Sequence, residues 1–512
     1  VAFVDWFLSF LPILAILILM LGLRWRGMQA GAVGWLIALL VAVLRFGAGW
    51  ELLANAQFKG LIMTLSVTYI LWGALLFFRV TDEAGAVTAV GAGLPRLTPD
   101  RGMQALLLGW VFSTFLQGVG GFGVPVAVVA PLLVGLGFPP LAAIVIPSVG
   151  HPWAVTFGSQ GSSFFTLMQV TGRSAEELAP WSAAFLGLAC LACGAGTLWA
   201  AGGWHALRTN LATVLVVGST MAGVQYLVAT RGLWSLGATL AGLVGLAFGV
   251  AWARWRAGGR AAEEASERPS AGMPIGRALL PYALLVVIVL VAQIPAVDDF
   301  LGRVAPGWQF PEFVTPLGNI LPAKKLTVNI FGHAGALLTY ASVAAYVWFR
   351  WRGGYTPGAA RRIVQGAAKR VVRSGLATAA MLGMAVTMEH AGMTHLLANG
   401  IAQVAGRAFP LVSPFIGALG AFMTGSNTNS NAVFANLQQN VAALIGVSPL
   451  IILAAQTAGG AIGSAFAPAK IIVGCSTVDA DEGPALQAVM RYGLIIVAGL
   501  AVATGVAAHF FG

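Results

Sequence analysis

Two short stretches of this 512-residue chain carry residues suited to holding a small anion away from water. The first, FLQGVGGFGVP over 115–125, sets Gly118, Gly120, Gly121 and Gly123 ahead of Val124 and Pro125. The second, FMTGSNTNSN over 422–431, sets Thr424, Gly425, Ser426, Asn427, Thr428 and Asn431 in one polar run. Both patches break helices. A broken helix exposes N–H donors at one new N-terminus and carbonyl acceptors at the other half's C-terminus. Pro125 suits the first turn of a half-helix starting near Val124, and Ser or Asn suits the cap of one starting near Asn429–Asn431. Two positive helix ends facing one cavity form an anion site.

Charges and amides near these patches extend the chemistry. Lys470 follows Pro468 in SAFAPAK and is either an intramembrane cation awaiting a carboxylate or a lysine reaching for the surface. His151, in GHPW, is either a proton relay or a hydrogen-bonded structural ring. Glu389 is the second proton-coupling candidate, although with His390 and His395 it reads better as an outer-interface cluster. Gln456 and Thr457, just before Gly459 and Gly460, offer uncharged pocket wall. The expected substrate-binding set is Gln117, Gly118, Gly121, Gly123, Val124, Ser159, Thr424, Gly425, Ser426, Asn427, Thr428, Asn431, Gln456, Thr457 and Lys470. Within it Ser426, Asn427, Thr428, Lys470 and the helix ends hold a carboxylate, while Gln117, Gln456 and Thr457 meet a hydroxyl. Cys190 and Cys193 form a C-x-x-C inside an apolar run, a redox or metal pair or simply small apolar packing. No phosphate-binding loop, H-E-x-x-H or carboxylate cluster occurs, so no enzyme, no metal and no cofactor is expected, and an ATP-driven pump is excluded within this chain.

The elements that must position these residues are membrane helices. Hydrophobic residues make up 58% of the chain and charged ones 9%, which excludes a soluble globule. Spans are expected at about 5–23, 28–46, 60–79, 180–202, 209–229, 233–254, 277–294, 327–349, 374–397 and 488–510. With the interrupted regions at 102–178 and 411–478 they predict an all-α polytopic protein of roughly 12–14 transmembrane segments. The net charge of +11 falls in particular loops, at Arg24 and Arg26, Arg79, Arg96 and Arg101, His205 and Arg208, Arg254, Arg256 and Arg260, and from Arg350 to Arg373. That is the positive-inside pattern, with Lys324-Lys325 as its main exception, so no nucleic acid is expected as a partner. A polar linker at 257–276 divides an N-terminal half, 1–256, from a C-terminal half, 277–512. The stretch 359–374 reads as an amphipathic helix on the inner leaflet, or as a regulatory partner site. Both interrupted regions reach a G-x-x-P-L, at Gly137 and at Gly446, and the basic loops make them enter from opposite faces. Two inverted repeats with discontinuous helices or re-entrant hairpins follow, the architecture of alternating access.

The motifs GFGVPVA (121–127), PLLVGLGF (131–138), Phe157-Gly158 with Gly161, TGSNT (424–428), Asn431, Leu437-Gln438 and TAGG (457–460), in this order, resemble the L-lactate permease family. The resemblance covers most of the chain. It implies a multi-pass transporter of the bacterial inner membrane that imports lactate or glycolate with protons. This chain departs from the family at telling places: Gln117 stands where Glu is usual, Asn427 where Asp is usual, and Ala467-Pro468-Ala469-Lys470 where Ser-Pro-Gln is common. Gly463-Ser464 replaces Gly-Lys, and Gly150-His151 replaces Asn-Thr. Two acids have become amides and a cation has moved, which leaves coupling to His151, Glu389, the substrate's own proton or nothing. A more positive pocket also suits another anion, such as sulfolactate or a hydroxy-dicarboxylate, and exchange or facilitation in place of symport. A channel and a membrane enzyme are the remaining classes.

Overall fold

Apolar runs that leave water must satisfy every peptide group within the segment, and the helix does this. The computed structural model describes residues 3–23, 25–94, 98–121, 123–257 and 273–512. Among them, eleven stretches are long and apolar enough to cross a membrane. One of these, Ala175–Arg256, is three helices end to end, bent at Gly202–Gly203 and at Arg231–Gly232. The linker expected at 257–276 lies outside the described residues apart from its ends, as do Arg24, Arg96, Arg260 and Phe122.

The first half runs α1 (Phe3–Leu17), α2 (Gly27–Leu44), α3 (Trp50–Glu83), α4 (Ala86–Gly93), α5 (Arg101–Val119), α6 (Val124–Gly135), α7 (Pro140–Gly150), α8 (Ser162–Thr171), α9 (Ala175–Val228) and α10 (Gly237–Ala257). The second runs α11 (Ile275–Ala292), α12 (Pro295–Leu301), strands β1 (Gly307–Phe310), β2 (Phe313–Val314), β3 (Ile320–Leu321) and β4 (Lys324–Thr327), then α13 (Ala334–Trp351) and α14 (Ala359–His390). It ends with α15 (Met393–Ala405), α16 (Phe409–Thr424), α17 (Asn427–Leu444), α18 (Pro449–Gly463), α19 (Pro468–Cys475) and α20 (Glu482–Phe511).

Three elements differ from expectation. The span expected at 327–349 starts at Ala334, because residues 307–327 form antiparallel ribbons, β1 on β4 with Phe310 opposite Lys324, and β2 on β3. Asn329 then accepts from the Gly332 N–H, and His333 caps α13 by accepting from Gly335. The amphipathic stretch 359–374 is no separate helix: it continues unbroken into the span as α14, which stops two residues before Gly392 in the left-handed region, short of 397. Part of its apolar stripe is covered by protein, since Ala367 and Val371 pack on Leu75 of α3 while Val364 and Val372 stay exposed, and Arg362 pairs with Glu83 at 2.6 Å. The second half-helix begins at Asn427, ahead of Asn429–Asn431, with Ser426 as cap accepting from the Asn429 N–H at 3.3 Å.

The repeated motif folds the same way twice. Helices α6 and α7, and again α17 and α18, join through a glycine of positive φ, Gly137 or Gly446, with proline opening the next helix. Phe138 N–H donates to Leu133 and Val447 N–H to Ala442, each five residues back, the hydrogen bond that closes such a helix end. Helices α6 and α7 span about 18 and 16 Å and α18 about 22 Å, all short of a hydrocarbon core of about 30 Å. Small residues let α18 touch α16 through backbone: a Cβ on Gly459 would collide with the Pro414 carbonyl. The halves also interleave, since α14 lies along both α3 and α2.

Candidate functional site

The first break separates α5 from α6. Gly121 and Gly123 take φ of +58° and +82°, which a side chain would oppose, and the Val124 N–H closes back on the Gly121 carbonyl at 2.9 Å. Against this break lies the second interruption of the same half, between α7 and α8. There Ser159, Gln160 and Gly161 have φ of +47°, +57° and +74° in succession. Two non-glycine residues in that region cost about 1–3 kcal/mol each and need surrounding structure to hold them. Ser159 Oγ fills the space a Gly121 Cβ would take, and the Gln117 amide nitrogen lies beside Gly121 and Gly158. The Gln117 Oε1 is buried without a partner. Gln117, Gly121 and Ser159 therefore meet, whereas Gly118 packs on the backbone of Thr239 in α10.

At the second break Thr424 Oγ1 donates to the Ser426 carbonyl at 3.0 Å, across Gly425 at φ +70°. Beyond it a buried network ties the halves of the chain together. Asn427 Nδ2 donates to Thr156 Oγ1 (3.1 Å) and the Thr457 carbonyl (3.2 Å), and Asn431 Nδ2 to the Ser163 carbonyl (3.0 Å) and Thr457 Oγ1 (2.9 Å). Thr428 bonds Ser163 through their hydroxyls at 3.0 Å. Gln456 donates to Ser430 Oγ at 3.1 Å and accepts from Gln438. Asn431, Gln456 and Thr457 thus have protein partners, while Asn427 Oδ1 has none. Thr424, Gly425, Ser426 and Lys470 are half-buried and form the accessible rim, with Pro468 and Ala469 exposed beside them.

Lys470 sits where both breaks converge. A Cβ on Gly123 would stand 3.9 Å from Lys470 Cγ, and one on Gly425 would stand 4.0 Å from the Ala467 Cβ. The ammonium donates to Ser464 Oγ at 3.0 Å and makes no ion pair among the described residues. His151 is fully buried and within reach of the Lys470 charge. Its Nδ1 lies 2.6 Å from the Pro147 carbonyl, so it donates there, leaving Nε2 as a bare acceptor without a partner. The unpaired cation can bind a carboxylate, the unmet amide oxygen can accept from a hydroxyl, and the unmet imidazole nitrogen can accept a proton.

Glu389 is elsewhere. Thr378 of α14 donates to Asn429 Oδ1 at 3.1 Å, and Glu389 lies 11 residues on, about 16 Å along the helix. It faces Lys59 at 3.8 Å, beneath the β ribbons. Burial, and then Lys59, pull the ammonium of Lys324 on β4 below its ordinary range, with Glu389 opposing them. Lys324 donates to the Gln169 carbonyl at the end of α8. Thr156, Ser163, Ser430 and Ser464 contact the candidate site residues, and Gln160 lies in the second interruption beside Ser159; the sequence reading passed over all five. The polar run TFGSQGSS (156–163) is the signal that marks Thr156, Gln160 and Ser163.

The chain is similar in sequence to known proteins along nearly its whole length. The description of the L-lactate permease family matches residues 5–511. The L-lactate permease of Salmonella typhimurium is 28% identical, with 98% of this chain and 95% of that protein covered. The glycolate permease GlcA of Escherichia coli is 26% identical over the same shares, 98% and 95%. Among solved structures, the Alcanivorax borkumensis YdaH transporter aligns at a TM-score of 0.47 and 14% identity, over 90% of this chain and 88% of that one. A family match over almost the whole length, on a chain with eleven membrane-crossing stretches among its described residues, shows that this multi-pass protein of the bacterial inner membrane belongs to the L-lactate permease family.

Proposed function

We propose that the chain is a secondary transporter of a small 2-hydroxy monocarboxylate, lactate or glycolate. The observation that carries this is Lys470, a cation without an ion pair among the described residues, set between two helix breaks. A charge at the centre of a membrane helix costs about 2.5–3.5 kcal/mol on insertion scales, and in this reading a bound carboxylate offsets the cost of Lys470. The family's named members, a lactate and a glycolate permease, support the substrate class. In this reading the carboxylate lies against Lys470, Ser426 and the N-terminus of α17, and the 2-hydroxyl reaches Gln117 Oε1 or Asn427 Oδ1, both buried and unmet. The inverted halves then rock about the site to open it on the other face.

Proton symport belongs to the same proposal, with His151 Nε2 as acceptor. No carboxylate pairs with Lys470 among the described residues, and Glu389 is taken by Lys59. The test is uptake of labelled L-lactate into proteoliposomes with and without an inward pH gradient, competed by glycolate, sulfolactate and dicarboxylates. Accumulation driven by the gradient and blocked by glycolate is expected. Saturable uptake that ignores the gradient would replace symport by facilitation or exchange, and indifference to lactate would move the substrate to another anion.

A further inference from the structure

Two guanidinium groups lie near each other between α3 and α14, and among the described residues neither forms an ion pair. Arg79 reaches from α3 across Gly366 of α14, where a Cβ would stand 3.0 Å from its Nε and 3.2 Å from its Cζ. Arg370 lies four residues beyond Gly366, on the same face. Arg79, Asp82 and Arg373 are its electrostatic neighbours. Asp82 acts on both arginines, yet among the described residues neither arginine has a carboxylate within 4.0 Å, and Glu83 is held by Arg362. Arg79 Nε and Arg370 Nη1 are buried with no hydrogen-bond partner. Two adjacent cations with unmet, inward donors fit the paired oxygens of an oxyanion.

Two polar positions lie along α14 between this place and the broken hairpin, separated from the arginines by the apolar contact of Val371 and Ala367 with Leu75. Asn429, in the first turn of α17, accepts from Thr378 of α14. Next along α14, Gly375 faces Thr68 of α3, whose hydroxyl is buried and unmet. Arg370 follows, eight residues from Thr378 and about 12 Å along the helix.

We propose that Arg79 and Arg370 form a second oxyanion site, on the basic side of the molecule and separate from Lys470. Its occupant is either the carboxylate of the transported solute or the phosphate of a lipid headgroup, the first resting on the transport reading above. The test is thermal unfolding of the purified full-length chain in neutral detergent, at constant ionic strength set with chloride. Lactate, inorganic phosphate and short-chain phosphatidylglycerol are titrated into the wild type and into Arg79→Gln, Arg370→Gln and Lys470→Gln. One of these oxyanions should raise the midpoint of the wild type and of Lys470→Gln, with a half-effect concentration at least tenfold higher in both arginine variants. A response to lactate identifies the solute, and one confined to phosphatidylglycerol identifies the lipid. An equal response in wild type and both arginine variants, or none in the wild type, overturns the site. Loss of lactate uptake in Lys470→Gln with the oxyanion response intact would separate the fate of this site from that of the central one.

Discussion

At the scale of single residues, the centre brings together the amides Gln117 and Asn427 and the cation Lys470, which has no ion pair among the described residues. Lys470→Gln removes a charge-assisted contact of about 1.5–3 kcal/mol, so KM for lactate should rise roughly tenfold or more while the protein still reaches the membrane. Unchanged transport would remove Lys470 from the site. Gln117→Glu places a titratable carboxyl beside Ser159 and Gly121, and uptake should then depend more steeply on pH. A flat profile would make position 117 structural. Lys470 was legible in the sequence as a lone cation after a proline in an apolar run, open between a pocket cation and a lysine reaching for the surface. Its partner Ser464 was not legible, because the five residues between them cross a helix break where no periodicity applies. The contacts of Thr156 and Ser163 with Asn427 and Asn431 join residues more than 260 apart, and only packing brings such pairs together.

At the scale of elements, the hairpins were readable from G-x-x-P, since a left-handed glycine and a helix-opening proline leave the backbone little choice. Gly121→Ala must fit a Cβ onto Ser159 Oγ at a φ of +58°, and it should lower the unfolding midpoint and impair uptake. A variant as stable and active as the wild type would mean that the break can relax. The start of α13 was hidden, because the short strands before it alternate too weakly to stand out from an apolar run. Its cap, His333, stacks on Tyr69 at 5.1 Å and meets Phe165 edge-on at 5.3 Å. Burial pulls this ring down to about 4. The unfolded chain therefore binds more protons between about pH 6.5 and 4, and stability contributed by the neutral ring is lost as pH falls through that window. His333→Asn keeps a cap acceptor without the titration, so its unfolding midpoint should change less between pH 7 and pH 5 than that of the wild type. Parallel curves would assign the acid sensitivity to another group.

At the scale of the whole molecule, rocking of the halves requires the seam between them to part or pivot. Thr156 and Thr457 face each other across that seam at 3.2 Å. A Thr156→Cys, Thr457→Cys pair, oxidised in membranes, should stop uptake, and reductant should restore it. Each single cysteine variant, treated alike, controls for the native cysteines, which are all buried. Full transport through the oxidised pair would place the motion elsewhere.

Helix α14 has a mechanical consequence of its own. It is one uninterrupted rod of 32 residues, about 48 Å long. Near one end it carries Glu389 under the β ribbons, and on either side of its middle Thr378 at the broken hairpin and Arg370 near Arg79. A rod without a hinge acts as a lever, so a tilt that frees Asn429 in the middle must also shift both ends at once. Opening at one face and closing at the other would then be a single movement, geared through one helix, with no signal needing to pass from site to site.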